Sequence, residues 1–454
     1  MSRCCTKNIR QSCIPFGMWI LLLLTVTGCK KDDPAPQYPA GTNEHVNSWI
    51  LDSMRVFYFW NRTLPAKPDV SQDPPDFFDG IKNVEDRFSI LADPKRPLTL
   101  KPSLSTALGI DIVGLDVGGV HQALVTLVVP GAEADQAGIK RGDRVLAING
   151  TAVSRDNIGA LVSQTILAGK IALDIEGRNT TVSYNASYPE DRPIYTYKII
   201  EHNGKKIAYL FFNSFKQWAI TELQTVLTSF RNGQVTELIL DLRYNAGGEV
   251  NIAALLTALI APVKGTDIFA EYRGNSNLGT QRTTFDKALS RIGTSVAQLT
   301  AYRPSLSRVY ILTGSHTGSS AELVVNNLAP YIATTRIGGR TLGKDMASFE
   351  IRNSQVTSWV INPLVYKLYN ANAQGDYASG LAPDVEVDEF SLLPLKPFGD
   401  TEDPLVNRAI VTIAGRALKS SSVLQQKETV RIWYDSRNIA DKNTAGVQVD
   451  RKDL

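Results

Sequence analysis

Thr313 to Lys344 reads TGSHTGSSAELVVNNLAPYIATTRIGGRTLGK, and the reading of this stretch decides the fold. It follows the run Val309–Leu312, whose short, apolar composition is that of a buried strand. The chain then passes through small residues and enters a helical pattern at Ala321 to Leu328. A strand, a turn and a helix in that order put Ser319 and Ser320 at a helix N-terminus, where backbone N–H groups can stabilise a developing oxyanion. The stretch ends on Thr341-Leu342-Gly343-Lys344. A lysine amine can activate a serine when burial disfavours its charged form, so the pattern is open to a nucleophile and a base. It is open to a plainer reading as well, because serines ahead of a helix are commonly N-caps and Gly-Lys is a common surface turn.

Working outward, 454 residues are enough for two to four domains, and 43% hydrophobic with 20% charged residues is the composition of an ordinary soluble globular protein. A net charge of +3 and the lack of a long basic run exclude a nucleic-acid footprint, and no nucleic-acid partner is expected. All four cysteines (Cys4, Cys5, Cys13, Cys29) fall in the first 29 residues, which excludes disulfide stapling and cysteine catalysis from the rest. His45, His121 and His202 have no metal-like spacing with acids and no zinc signature is present, so no metal and no cofactor is expected. His316 is three residues from Ser319, a spacing at which turn geometry rarely lets a side chain serve as base.

Residues 1–28 combine a basic start (Arg3, Lys7, Arg10) with an apolar run from Met18 to Val26 that is too short to cross a bilayer, the pattern of a signal peptide. The ending Val26-Thr27-Gly28-Cys29 resembles the lipobox of bacterial lipoproteins. That resemblance implies cleavage before Cys29, lipidation of Cys29, and attachment to a membrane through the lipid anchor. Cys-Lys-Lys-Asp-Asp is similar to the surface-export signal of Bacteroidetes lipoproteins, and the implied location is the outer membrane, facing the periplasm or the surface. The Pro-rich segment that follows makes 29–42 a flexible tether.

From Asn43 to about Leu91 apolar residues recur at helical spacing: Val46, Trp49, Ile50, Met54 and Phe57, then Phe77, Phe78 and Ile81, with Phe88 extending the second face after a break. This gives a helical domain over 43–104 whose aromatics are core. The next segment, 105–190, has short strands and turns. Val128 to Gly150 reads as a strand, a short helix that Gly138 ends, a turn at Arg141-Gly142-Asp143 and a strand closed by Asn-Gly. This run resembles a PDZ domain. The resemblance implies strand addition of an extended peptide beside a carboxylate-capturing loop, which falls on Leu108, Gly109, Ile110, Asp111 and Ile112, with a second PDZ helix over Arg155 to Leu167.

Beyond Tyr195 strands and helices alternate: Lys206–Phe212, a helix over Ile220–Phe230, the strand Glu237–Leu242, Arg243-Tyr244-Asn245-Ala246-Gly247-Gly248, and a helix over Asn251–Ile260. A Gly-Gly pair between strand and helix bares backbone amides, useful for an oxyanion, although it often marks only a tight turn. DLRYNAGG, TGSSAE, TLGK and Gly380-Leu381-Ala382-Pro383-Asp384, in this order behind a PDZ-like segment, resemble the C-terminal processing peptidases, or tail-specific proteases, over about Asn43 to Glu389.

The resemblance implies a multidomain α/β protein: an N-terminal helical domain, a β-rich PDZ domain and a ClpP/crotonase-like α/β protease core over 191–400, followed by a C-terminal extension over 401–454. It implies serine peptidase activity on protein or peptide substrates through a Ser-Lys dyad. In that family the serine stands 25 residues ahead of the lysine, which selects Ser319 and Lys344. The oxyanion hole falls on Gly247 or Gly248 and on the amide of Ser320. The usual Ser-Ala-Ser-Glu is here Ser319-Ser320-Ala321-Glu322, and the glutamine expected four residues after the lysine is Ser348, which is the candidate for orienting Lys344. Glu322 also reads as a helix cap. That departure keeps a second reading open, a non-catalytic lipoprotein that binds peptides with the same fold. Residues 390–454 read as peripheral, with a helix over Asp403–Leu418 and a possible strand at Thr429–Tyr434.

Overall fold

Thr42 accepts a hydrogen bond from the His45 amide at 3.3 Å and starts helix α1, Asn43–Phe57. The structure is a computed structural model and describes residues 38–96, 99, 102–415, 430–438 and 447–448. The signal-peptide reading, Cys29 and most of the tether therefore lie outside the described residues. Helix α2 (Pro74–Ile81) begins with proline in its first turn, where the missing N–H costs nothing. Val46, Ile50 and Met54 of α1 and Phe77, Phe78 and Ile81 of α2 are buried in one cluster with residues beyond 190, so this segment shares its core with its neighbour. Phe88 does not lie on a helix. The Asp86 carboxylate accepts from the Phe88 and Ser89 amides (3.1 and 2.8 Å), which turns the chain into strand β1, Ile90–Ala92.

The PDZ-like segment follows as α3 (Leu104–Leu108), β2 (Ile110–Val117), β3 (Val120–Val128), α4 (Glu133–Gln136), β4 (Arg144–Ile148), β5 (Thr151–Ala152), α5 (Ile158–Ala168), β6 (Lys170–Ile175) and β7 (Val182–Asn185). Asn149 and Gly150 take φ of 51° and 77°, which closes the β4–β5 hairpin with the twist that suits it. Its own core is built from alternate residues of these strands and from α5.

The rest comprises β8 (Ile194–His202), β9 (Lys205–Phe212), α6 (Ala219–Asn232), β10 (Glu237–Asp241), α7 (Val250–Ile260), β11 (Ile268–Arg273), β12 (Thr280–Thr284), α8 (Phe285–Ser290), α9 (Val296–Leu299), β13 (Arg308–Thr313), α10 (Ser320–Leu328), β14 (Ala333–Gly338), β15 (Met346–Ser348), β16 (Ile351–Arg352), β17 (Val360–Asn362), β18 (Leu364–Tyr369), β19 (Val385–Glu386), α11 (Pro404–Ile413), β20 (Val430–Asp435) and β21 (Val447–Gln448). The central sheet has the order β19-β14-β13-β10-β9-β8; β9, β10, β13, β14 and β19 run parallel, and β8 pairs antiparallel with β9. Strands such as Leu238–Leu240 and Val309–Leu312 are apolar on both faces because both are covered. One face packs on α6, α7 and α10, the other on α11 and on Leu127, Val129 and Ala132 of the PDZ-like segment.

The C-terminal part departs from expectation. Strand β20 forms close to where the sequence places it, but it is not peripheral: it pairs antiparallel with β2 at the edge of the PDZ-like sheet. An edge strand as apolar as β2 is stable only when something covers it.

Under the central sheet, Arg243 is fully buried and bonded to Asp241 (2.9–3.1 Å), to both carboxylate oxygens of Asp403 (2.9 and 3.0 Å) and to Glu389 (3.2 Å). Arg141, from the PDZ-like segment, reaches the same Glu389 at 2.6 Å. Removing one partner leaves buried charge uncompensated, so Arg243→Met should lower unfolding stability by about 3–5 kcal/mol. Urea melts that gave a loss below about 1 kcal/mol would contradict this role.

Candidate active site

β10 and β13 are neighbours in parallel register, with Asp241 opposite Leu312, so the loops leaving both strands emerge at one end of the sheet. That end is where open α/β sheets place their ligands. The two loops are stitched together: the Thr317 hydroxyl donates to Leu242 O (2.8 Å) and the Gly318 amide to Asn245 O (2.9 Å).

Ser319 sits at the entry to α10 with φ 58° and ψ −121°. A non-glycine residue in this region costs roughly 1–3 kcal/mol and persists only when its surroundings hold it. Here its amide donates to Glu322 Oε2 (3.0 Å), and its carbonyl accepts the first helical bond from Leu323 N (2.9 Å). The side chain is buried, and its Oγ makes no hydrogen bond, to Lys344 Nζ or to any other described group. The neighbouring Ser320 Oγ donates to Gly248 O at 2.6 Å.

The Gly-Gly turn lies directly against this serine. A Cβ on Gly247 would stand 2.5 Å from Ser319 Cβ, 2.9 Å from its Oγ and 2.9 Å from Ser320 N, at a φ of 109°. Only glycine permits that approach. The two glycines are not equivalent as donors. The Gly247 N–H is spent on the Asn245 side-chain oxygen (2.8 Å). Among the described residues the amides of Gly248 and Ser320 donate to no backbone or side-chain group. The sequence left Gly247 and Gly248 as alternatives, and the hydrogen bonding favours Gly248.

Lys344 is fully buried in the loop between β14 and β15. Its amide and that of Gly343 donate to Glu322 (both 2.7 Å), and its Nζ lies 4.9 Å from the centroid of the Phe88 ring. Arg87 braces the same loop by donating to Gly343 O (3.1 Å) and Ala378 O (2.9 Å). The N-terminal segment thus forms a wall of the Lys344 site, which helical periodicity at Phe88 concealed. Ser348, on β15, is buried and its Oγ has no hydrogen-bond partner among the described residues.

Glu322 does more than cap a helix. Its carboxylate accepts from Ser319 N, Thr341 Oγ1 (2.5 Å), Gly343 N and Lys344 N, joining the two loops. Burial pushes it up to about 7, against the four donors that favour its anion. His316 is buried, with Nε2 2.7 Å from Asp435 Oδ2.

A cavity of about 500 Å³ opens beside Gly247 and Gly248, lined also by Leu127, Val129, Tyr195 and Arg437. It lies between the central sheet's loops and the PDZ-like segment. Leu108 ends α3, Gly109 follows in the left-handed region, and Ile110, Asp111 and Ile112 begin β2; the four side chains are all buried.

The comparisons with known proteins follow this architecture. Residues 206–387 match peptidase family S41, residues 45–90 the S41 N-terminal domain, and residues 124–165 a PDZ domain. The carboxyl-terminal-processing protease of Picosynechococcus sp. is 28% identical over 222 residues, 46% of this chain and 51% of that protein. The carboxy-terminal processing protease CtpA of Bacillus subtilis is 23% identical over 364 residues, 78% of this chain and 72% of the relative. The chain thus spans about half the length of the first of these relatives and more of the second. A solved protein from Bacteroides fragilis, assigned to the S41 proteases, is 29% identical with a TM-score of 0.66, covering 85% of this chain and 100% of its own. With the S41 N-terminal domain and a PDZ domain ahead of it, the segment 206–387 belongs to peptidase family S41.

Proposed function

We propose that the protein is a serine endopeptidase that cleaves extended or C-terminal segments of proteins, with Ser319 as nucleophile and Lys344 as base. The observation that carries this is the fit of Gly247 against Ser319: the turn leaves no room for even a Cβ beside Oγ, and the amides of Gly248 and Ser320 donate to no described backbone or side-chain group. Those two amides supply the oxyanion hole and stabilise the tetrahedral intermediate. Lys344, fully buried, takes the serine proton, a step that requires its amine to be neutral. Proton transfer requires Nζ and Oγ to come within hydrogen-bond distance, which substrate binding in the adjoining cavity brings about. Ser348 orients the lysine from the next strand, and the PDZ domain holds the substrate chain by strand addition. The lipidated Cys29 fastens the enzyme to the outer membrane. Changing Cys29→Ser should move the protein from the membrane pellet to the soluble fraction, and unchanged fractionation would remove the anchor.

Cleavage of unfolded casein separates this reading from that of a non-catalytic binder. Ser319→Ala and Lys344→Ala should each lower kcat/KM at least about 10³-fold while the melting transition stays in place, since both remove groups that act as a unit. Gly247→Ala should abolish activity too, by forcing the turn off the serine. Equal cleavage by wild type and Ser319→Ala would refute the nucleophile, and no cleavage by either would favour the binder.

Glu322 predicts a pH signature in stability. Its folded-state value of about 7 lies above the ordinary 4.5, so its contribution is fully present below about pH 4.5 and is lost as pH rises through 7. Relative to Glu322→Gln, the wild type should lose about 3 kcal/mol between those limits. Parallel pH profiles for the two proteins would show that burial does not control this carboxylate.

A further inference from the structure

The PDZ edge that the proposed function assigns to substrate is already taken by the chain itself. Val430, Arg431, Ile432, Tyr434 and Asp435 pair with Val117, Asp116, Leu115, Gly114 and Val113 in antiparallel register. The extra residue, Trp433, lies at a bulge against Gly114, where a Cβ would come within 2.6 Å of the indole, and its ring meets His121 edge-on at 6.2 Å. Tyr434 reaches across to α5, 3.7 Å from where a Cβ of Gly159 would stand. This is the groove between β2 and α5, occupied by an added strand as a PDZ ligand occupies it.

The end of the groove selects what kind of segment fits. A free C-terminal carboxylate would need the amides of the Leu108–Ile110 turn, but the Gly109 N–H is spent on Ser105 O (2.9 Å). The buried Asp111 carboxylate lies within hydrogen-bond distance of Ser436 and Arg437, and a terminal carboxylate placed there would set two like charges together. What sits there instead is a hydroxyl and a cation. Ser436 Oγ donates to Asp111 Oδ1 (2.9 Å), Ser436 N to Ile112 O (3.0 Å), and Ile112 N donates back to Ser436 Oγ (2.9 Å). Arg437 Nη1 donates to Asp111 Oδ2 at 2.7 Å. The segment also reaches the catalytic loops: Arg437 Nη2 donates to Tyr244 O (2.6 Å) and Asp435 pairs with His316 (2.7 Å).

We propose that the PDZ groove is a site for internal extended segments carrying an aromatic pair followed by Asp-Ser-Arg, that Val430–Arg437 is its resident ligand, and that substrate segments of this class bind by displacing it. The inference rests on the reading of the PDZ domain as a peptide site. Val117 and Val430 stand directly opposite each other, a separation a disulfide spans. In a chain starting at Lys30, which has no other cysteine, V117C/V430C locks the strand in place under oxidation and frees it on reduction. The compact unit Pro39–Leu454 is retained whole. Binding is read in the Ser319→Ala background with a labelled, end-blocked peptide of residues 428–439.

The oxidised form should bind the peptide at least 10-fold more weakly than the same protein after reduction, which makes misfolding of the variant irrelevant. Trp433→Ala/Tyr434→Ala, which loosens the resident strand, should bind at least 10-fold more tightly than wild type. A peptide with glutamate in place of the arginine, or one ending in a free carboxylate at Ser436, should bind at least 10-fold more weakly. Equal, measurable affinity in the oxidised and reduced forms overturns the resident-ligand proposal while leaving the PDZ peptide site standing. Tighter binding of the free carboxylate overturns the ligand class. No binding even by the loosened chain overturns the peptide-site reading beneath both.

Discussion

Four hydrogen bonds into one buried carboxylate, that of Glu322, hold the site together. Two come from the backbone of Gly343 and Lys344, one from the amide of Ser319 and one from the Thr341 hydroxyl. Ser319 at φ 58° would relax to an ordinary helical entry if its amide were released, and Gly343, at φ 88° against Ala378 O, has no freedom to follow. A single acceptor between the loops therefore fixes the backbone of Ser319 relative to that of Lys344, the proposed nucleophile and base.

The carboxylate can do this only because the sheet delivers the loops to it. β10 and β13 are adjacent and parallel, so their ends coincide, and both are buried on two faces, so neither can slip in register without moving a continuous apolar run. Beneath those ends, Arg243 ties Asp241 of β10 to Asp403 at the start of α11, while Glu389 brings in Arg141 from the PDZ domain. The central sheet, the terminal helix and the PDZ domain thus meet at one buried ion cluster. Such clusters hold geometry more than they add stability.

The sequence carried the local parts of this plan. Strand, turn and helix around Ser319, the Gly-Gly turn and the β4–β5 hairpin are each set by residues within a few positions, and periodicity and turn chemistry expose them. Glu322 read as a cap because capping is local; that its second function is to bind Gly343 and Lys344 depends on loop closure over some twenty residues. Phe88 followed the helical spacing of its neighbours, and nothing in that spacing marks the Asp86 turn that swings it over Lys344. Strand β20 was legible as a strand, yet its partner lies more than three hundred residues earlier, and pairing at a sheet edge depends on which edge is left open.

That last pairing changes how the PDZ domain relates to the loops at the end of the central sheet. The edge of β2 presents Ile110, Ile112, Val113 and Leu115, all buried, and an apolar edge of this length invites association with other chains unless it is covered. The chain covers it with a segment whose last residues are bonded to Tyr244, three positions ahead of Gly247, and to His316, three ahead of Ser319. On the proposal that a groove ligand displaces it, one strand takes part in two equilibria, the filling of the groove and the setting of the loops that carry Tyr244 and His316. Linkage makes such coupling reciprocal: whatever free energy a groove ligand spends in displacing the strand appears at the loops, and a substrate that reorders the loops alters the groove's affinity by the same factor. Protection of an edge and communication between two sites then follow from the same handful of hydrogen bonds.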